Sequence, residues 1–202
     1  VINTMFSIPL VRYSLSDWSS KKQFLMSTLE SRQLTMGSER VWSDYAEKSS
    51  ENLLLSTITG TLRDELDQFA QDFRCDPSIV HAWFEKAYQT NHHPVHNHGH
   101  GGWSAVLYLD YDPDEHTPTI FVSPFDHFIT GEQLTYFPDV KEGDLILFPS
   151  FLHHYTQPNE SQIPRAVLSF NLTVDEHNTP LAWESKVDSQ RAGLPRDLLP
   201  YW

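Results

Sequence analysis

The sequence predicts a mainly β chain whose helices gather near the N-terminus and whose centre folds as an antiparallel barrel or double-sheet jelly roll. Three observations carry that prediction. The helical period appears only in the first part of the chain, most clearly where Ile58, Leu62, Leu66, Phe69 and Phe73 recur at steps of four, four, three and four. After Asp76-Pro77 the texture changes to short apolar segments at near-even spacing, separated by loops rich in Pro, Asp and Gly. Between the two lies a histidine-rich run, NHHPVHNHGHGG from Asn91, that passes directly into the alternating segment WSAVLYLDY.

Met5 to Tyr13 reads as a short strand, and its internal Pro9 makes it an edge strand. Ser16 to Gln33 reads as a helix, with Ser16 or Asp17 as cap and Phe24, Leu25 and Leu29 as the buried stripe. Thr35 to Ser50 is polar and aperiodic, and is expected to be mostly loop. One helix is then predicted from Glu51 to Phe73, locally weakened by Gly60. Strands follow at Ser78–Gln89, Trp103–Tyr111, Thr119–Val122, Leu134–Phe137, Asp144–Phe148, His153–Thr156 and Ala166–Val174. The tail from Asn178 to Trp202 has three prolines and little pattern, and is expected to lie over the sheet with Trp183 and Trp202 as anchors, or to form a dimer arm. The 202 residues are read as a single domain: 1–76 as the first strand and supporting helices, 77–175 as the β core, 176–202 as the tail.

Composition narrows the function. Hydrophobic content of 39% and aromatic content of 13% suit a packed core. A net charge of -13 makes a poor binder of nucleic-acid backbones, which are held by Lys and Arg, and mildly favours a basic or neutral partner. No apolar run approaches the roughly 18 residues of a bilayer span, so no membrane partner is expected. No basic-then-apolar leader opens the sequence, and its one cysteine, Cys75, rules out an internal disulfide. A reducing cytoplasm is therefore the expected compartment, a host's if the protein is viral.

The candidate chemistry starts at His96 and His98. In extended backbone, residues two apart share a face, so the two imidazoles converge on one point, as a metal requires. A third ligand must come from elsewhere, and His154 in GDLILFPSFLHHYTQPN is the candidate. Its neighbour His153 should point the other way. His92, His93 and His100 are expected at the rim. Arg165 opens RAVLSFNLTV eleven positions after His154. A buried guanidinium must be paired, either with a structural Asp or Glu or with a bound carboxylate, which it can grip through two parallel hydrogen bonds.

These segments together, His-x-His, WSAVLYL, GDLILFPSFLHHYTQPN and RAVLSFN, resemble the 2-oxoglutarate/Fe(II)-dependent oxygenase superfamily. The likeness spans about Ile79 to Thr173 and is strongest to small oxygenases of tailed phages and marine bacteria, distant relatives of prolyl 4-hydroxylases. It implies a double-stranded β-helix, the cupin-like jelly roll with metal between its sheets. It implies Fe(II) bound by His96, His98 and His154, and 2-oxoglutarate whose far carboxylate meets Arg165. Tyr88, Ser104 and Tyr108 become candidate co-substrate contacts. It also implies hydroxylation of a small-molecule or peptide substrate, a peptidyl or free amino acid such as proline among the options, with homodimerisation open.

Two departures stand out. His98 occupies the position where most of the superfamily has Asp or Glu. Three imidazoles still leave three facial positions on an octahedral ion, but the site becomes more positive by about one charge, which alters redox tuning or leaves room for chloride or water. Val167 stands where many relatives place a serine that helps hold the carboxylate, leaving Ser169, deeper on the same strand face, as the candidate hydroxyl. Two rival functions share the fold: a cupin-type metalloenzyme without 2-oxoglutarate, which leaves Arg165 unexplained, and a non-catalytic binding module.

Overall fold

The computed structural model describes residues 7–37, 40–47 and 51–174. In chain order these form β1 (Val11–Ser14), α1 (Trp18–Glu30), β2 (Thr35–Met36), β3 (Trp42–Ser43), α2 (Glu51–Thr61), α3 (Arg63–Phe73), β4 (Pro77–Ala87), β5 (Trp103–Asp110), β6 (Ile120–Asp126), β7 (Gln133–Tyr136), β8 (Asp144–Pro149), β9 (His154–Tyr155) and β10 (Arg165–Val174). Two antiparallel sheets result. The larger has the order β1-β8-β5-β10-β4-β3-β2, and the smaller β7-β6-β9. This is the mainly β, jelly-roll architecture that the sequence predicts.

Strand parity sorts the side chains of the large sheet into two faces. On β4, β5, β8 and β10 one face carries Phe84, Leu107, Leu147, Leu168 and Phe170, which pack against Leu25, Ile58, Leu62 and Phe69 of the helices. The other face carries Val106, Tyr108, Ile146, Phe148 and Val167, with Phe121 of β6 beside them. The helices thus cover one side, and the site develops on the other, between the sheets.

Three element predictions need correction. Leu25 and Leu29 of α1 are buried, but Phe24 is half exposed, because the buried side of this helix is too narrow to include it. Asp17 stands at the N-cap position in a left-handed conformation (φ 51°) without a side-chain capping bond. The helix predicted from Glu51 to Phe73 is two helices meeting at Leu62, whose φ/ψ of -101°/20° breaks the helical run just after Gly60. Leu62 N–H still donates to Ile58 (2.9 Å) and Leu66 N–H to Leu62 (2.9 Å), so the apolar stripe continues through the bend and stays buried. The expected loop at 35–50 contains β2 and β3, two-residue strands that extend the large sheet beyond β4, too short to show a period. β1 is an edge strand paired only with β8, and it begins after Pro9, which lacks the N–H a ladder needs. Met5 and Phe6 of that predicted strand, and the tail with Trp183 and Trp202, lie outside the described residues.

Candidate active site

His96 lies in the loop between β4 and β5 and exchanges two backbone bonds with His154 of β9: its N–H donates at 3.0 Å and its carbonyl accepts at 2.9 Å. Two residues on, His98 N–H donates to the Ser150 carbonyl at 2.9 Å. The His-x-His segment is therefore pinned, without being a regular strand, along the turn that leads into β9. One ligand-capable nitrogen from each of His96, His98 and His154 lies within 4.8 Å of the other two.

The ring contacts prepare these nitrogens for an ion. His96 Nδ1 lies 2.8 Å from the Pro94 carbonyl, and His154 Nδ1 lies 2.9 Å from the Leu152 carbonyl. A carbonyl oxygen only accepts, so each Nδ1 carries the proton and each Nε2 presents a lone pair. His98 Nε2 and His154 Nε2 face one another at 3.3 Å. Two nitrogens each roughly 2.1 Å from one ion and at right angles about it would stand about 3 Å apart. Burial, then the neighbouring His96, lowers the His98 pKa to about 4. The same two causes, in the same order, hold His154 well below the ordinary imidazole range. Both rings are neutral at pH 7, the protonation state that ligation requires.

Around the triad a small cavity of about 20 Å³ is lined by Trp83, Glu85, Val167, Ser169 and Arg165, among others. Arg165 is 7% exposed and donates from Nη1 to the Thr117 carbonyl at 2.9 Å. Among the described residues no carboxylate lies within ion-pair distance of it. Burial depresses its pKa, opposed in order by Tyr108, Glu85 and Tyr111. Tyr108 is fully buried, and burial raises its pKa, so it keeps its proton. Its oxygen accepts the Thr119 N–H at 3.1 Å, which leaves the hydroxyl hydrogen available to an acceptor.

The other predicted contacts divide. Ser169 and Val167 both line the cavity, on the face of β10 that Arg165 shares. Ser104 is buried but does not reach the cavity wall. Its hydroxyl bonds to Ser150 Oγ and Asn171 Oδ1, each at 2.9 Å, and so steadies the turn that receives His98. Tyr88 is not at the site. Odd-numbered residues of β4 (Trp83, Glu85) face the cavity, and Tyr88 has the opposite parity. It is 44% exposed and meets Trp42 edge-on in an outer groove. His153 is exposed whereas His154 is 4% exposed, which separates the two neighbours by geometry. Of the rim histidines, His100 is exposed, but His93 lines the cavity and stacks on His96 with ring centroids 3.9 Å apart. Trp83 and Glu85 were not singled out from the sequence. Their signal is parity: a Trp and a Glu two apart on a strand whose outward neighbours are apolar or basic.

A double-sheet jelly roll with three converging imidazoles and a buried guanidinium beside them has the make-up of a metal site with open positions and a nearby anion-binding group. In sequence, residues 81–171, which contain the triad and Arg165, match the family model described as "Putative 2OG-Fe(II) oxygenase". Solved structures share the fold. A Pseudomonas putida prolyl-4-hydroxylase superposes with a TM-score of 0.51 at 14% identity, covering 81% of this chain and 91% of that one. The viral collagen prolyl hydroxylase of Paramecium Bursaria Chlorella virus-1 gives 0.52 at 12%, covering 81% and 94%. EctD from S. alaskensis gives 0.59 at 14%, covering 81% and 71%. No curated protein matches the chain. No helix among the described residues is long and apolar enough to cross a membrane.

Proposed function

We propose that this chain is an Fe(II)- and 2-oxoglutarate-dependent hydroxylase in which His96, His98 and His154 hold the metal and Arg165 holds the far carboxylate of 2-oxoglutarate. The observation that carries the reading is Arg165: a guanidinium buried beside three converging imidazoles, with no carboxylate of the described residues within ion-pair distance. A buried charge left uncompensated is costly, and a dicarboxylate entering from the triad side would supply the partner. When bound, the metal and 2-oxoglutarate supply the oxidising chemistry, with succinate and CO2 as co-products. The chain's own residues orient and enclose. The carbonyls of Pro94 and Leu152 fix two imidazoles in the ligating tautomer. Val167 and Phe148 line the space beside Arg165 and keep water from it, while Tyr108, outside that lining, accepts the Thr119 N–H and braces the wall. Ser169 offers a hydroxyl residue in the lining of that space.

The substrate that suits this reading is a peptide or free amino acid, proline being the example set by the prolyl hydroxylases that share the fold. The likeness to small oxygenases of phages and marine bacteria, and a cytoplasmic location, belong to the same reading. Anaerobic titration of the Fe(II)-loaded protein with 2-oxoglutarate tests it. A weak visible charge-transfer band near about 500 nm should appear, because a chelated 2-oxo acid needs two adjacent open positions. Arg165→Ala should still bind Fe(II) but weaken 2-oxoglutarate by roughly 10- to 100-fold, the worth of a charge-assisted pair. Tight iron without a band would favour a metalloenzyme that uses no 2-oxo acid. No iron would leave a binding module.

A further inference from the structure

Glu85 is the buried group that this function does not use. It lies on the inward face of β4, 8% exposed, opposite Val167 of β10 and in the wall of the cavity. Its Oε1 accepts the Trp83 indole N–H at 2.8 Å and stands 3.7 Å from His93 Nδ1. Trp83 lies over His98 with ring centroids 5.5 Å apart. Glu85 Oε2 makes no hydrogen bond among the described residues. Glu85 does not belong to the group of three whose nitrogens converge, so it is not a fourth ligand. It lines the same cavity as the triad and Arg165 and is hydrogen-bonded to neither.

Charge counting gives this placement a purpose, and it rests on the reading of the site as one for a divalent ion and a 2-oxo diacid. A divalent ion on three neutral imidazoles, beside one guanidinium, is a buried charge of about three, with no ligand to offset it. The diacid cancels two of these. We infer that Glu85 is a positioning residue that supplies the remaining negative charge: its carboxylate stabilises the metal on an uncharged ligand set and, by repulsion, limits how tightly the dianionic co-substrate and its dianionic product succinate are held.

The two halves of that role have opposite signs, and the test uses them. In Glu85→Gln the amide oxygen can still accept the Trp83 N–H, so the packing is kept and the charge is lost. Co(II) as an oxygen-stable metal probe, titrated by its visible absorption, should bind about tenfold or more weakly than to the parent. 2-Oxoglutarate, titrated into metal-saturated protein by calorimetry, should bind about tenfold or more tightly, as should succinate. Glu85→Asp, which keeps the charge, should leave both constants nearer the parent's. If Gln does not yield folded protein, Glu85→Ala is read in the same way. Both constants weakening together would mean that Glu85 only braces the wall, and neither moving would mean that its charge is not felt. Either outcome overturns the inference. Failure of the parent to bind Co(II) or 2-oxoglutarate would instead overturn the function on which it rests.

Discussion

The chemistry of this chain is concentrated in side chains whose ordinary behaviour the fold has altered. His98 and His154 lose their basicity chiefly because they are taken out of water, and next because His96 is close. That has a consequence for stability without metal. An unfolded chain takes up a proton on each histidine near pH 6.5, whereas folded His98 does so only near pH 4. Between those values the unfolded state binds more protons, so this contribution is lost as pH falls from about 6.5 towards about 4 and is complete above that window. Urea unfolding of metal-free protein should give a lower midpoint at pH 5 than at pH 7.5, and His98→Gln should shrink the difference. An unchanged difference would mean that His98 is more hydrated than its burial indicates. Glycine matters at one residue of this site. Gly102, the last residue before β5, has φ +82°, and a Cβ there would meet the Leu172 carbonyl at 2.7 Å. Gly102 also accepts the Ser150 N–H (3.1 Å), in the turn that receives His98. Gly102→Ala should cost about 1–3 kcal/mol in unfolding free energy and also weaken Co(II) binding, because strain at this point reaches the turn holding His98.

At the scale of elements, what could be read from the sequence depended on whether an element owes its form to its own residues. Strands β4, β5, β8 and β10 are long, buried and rich in β-branched and aromatic residues, and their positions follow from pattern alone. β2 and β3 form only because β4 offers an open edge, and two residues carry no period. The bend at Leu62 leaves the apolar stripe intact, so the periodicity that predicts the helix is blind to the break. The site was legible to the same degree. His96, His98, His154 and Arg165 stand out because the residue types are unusual in their settings. Glu85 and Trp83 could be found only by asking which face of β4 turns inward, and the same question excludes Tyr88. The separation of faces leads to a prediction. Ile58 of α2 is fully buried among Leu62, Phe69 and the outer face of the large sheet, with that sheet between it and the triad. Ile58→Ala should lower stability by about 2–5 kcal/mol through lost burial and the cavity left behind. Its Co(II) affinity should equal the parent's, measured well below the lowered melting temperature. A parallel loss of metal affinity would show that the helix layer sets the site's geometry rather than merely covering the sheet.

For the whole molecule, the two sheets are unequal partners. The large one is stapled to three helices, whereas the small one has β7 exposed along its length and joins the site mainly through β6, β9 and the His96–His154 bridge. Of the proposed metal ligands, His154 comes from the small sheet and His98 from a segment tied to the Ser150 turn at the end of the large one. Arg165 belongs to the large sheet outright. An ion and a diacid spanning these groups would therefore tie the sheets together, and only the folded chain offers that arrangement. Any ligand confined to the folded state stabilises it by RT ln(1 + [L]/Kd), about 2.7 kcal/mol at a hundredfold excess over Kd. Co(II) should raise the melting temperature of the parent. 2-Oxoglutarate added to the Co(II)-loaded protein should raise it further, and this second step should be largely absent in Arg165→Ala. The place of the effect is as informative as its size. Hydrogen exchange should slow most in β6, β9 and the His96–His98 segment, the parts least supported by the helices, and change little in β4 and β10, which already lie at the centre of the large sheet. Slowing confined to β10 would mean that the diacid docks on Arg165 without bridging to the small sheet, and that the two sheets close on the prime substrate instead.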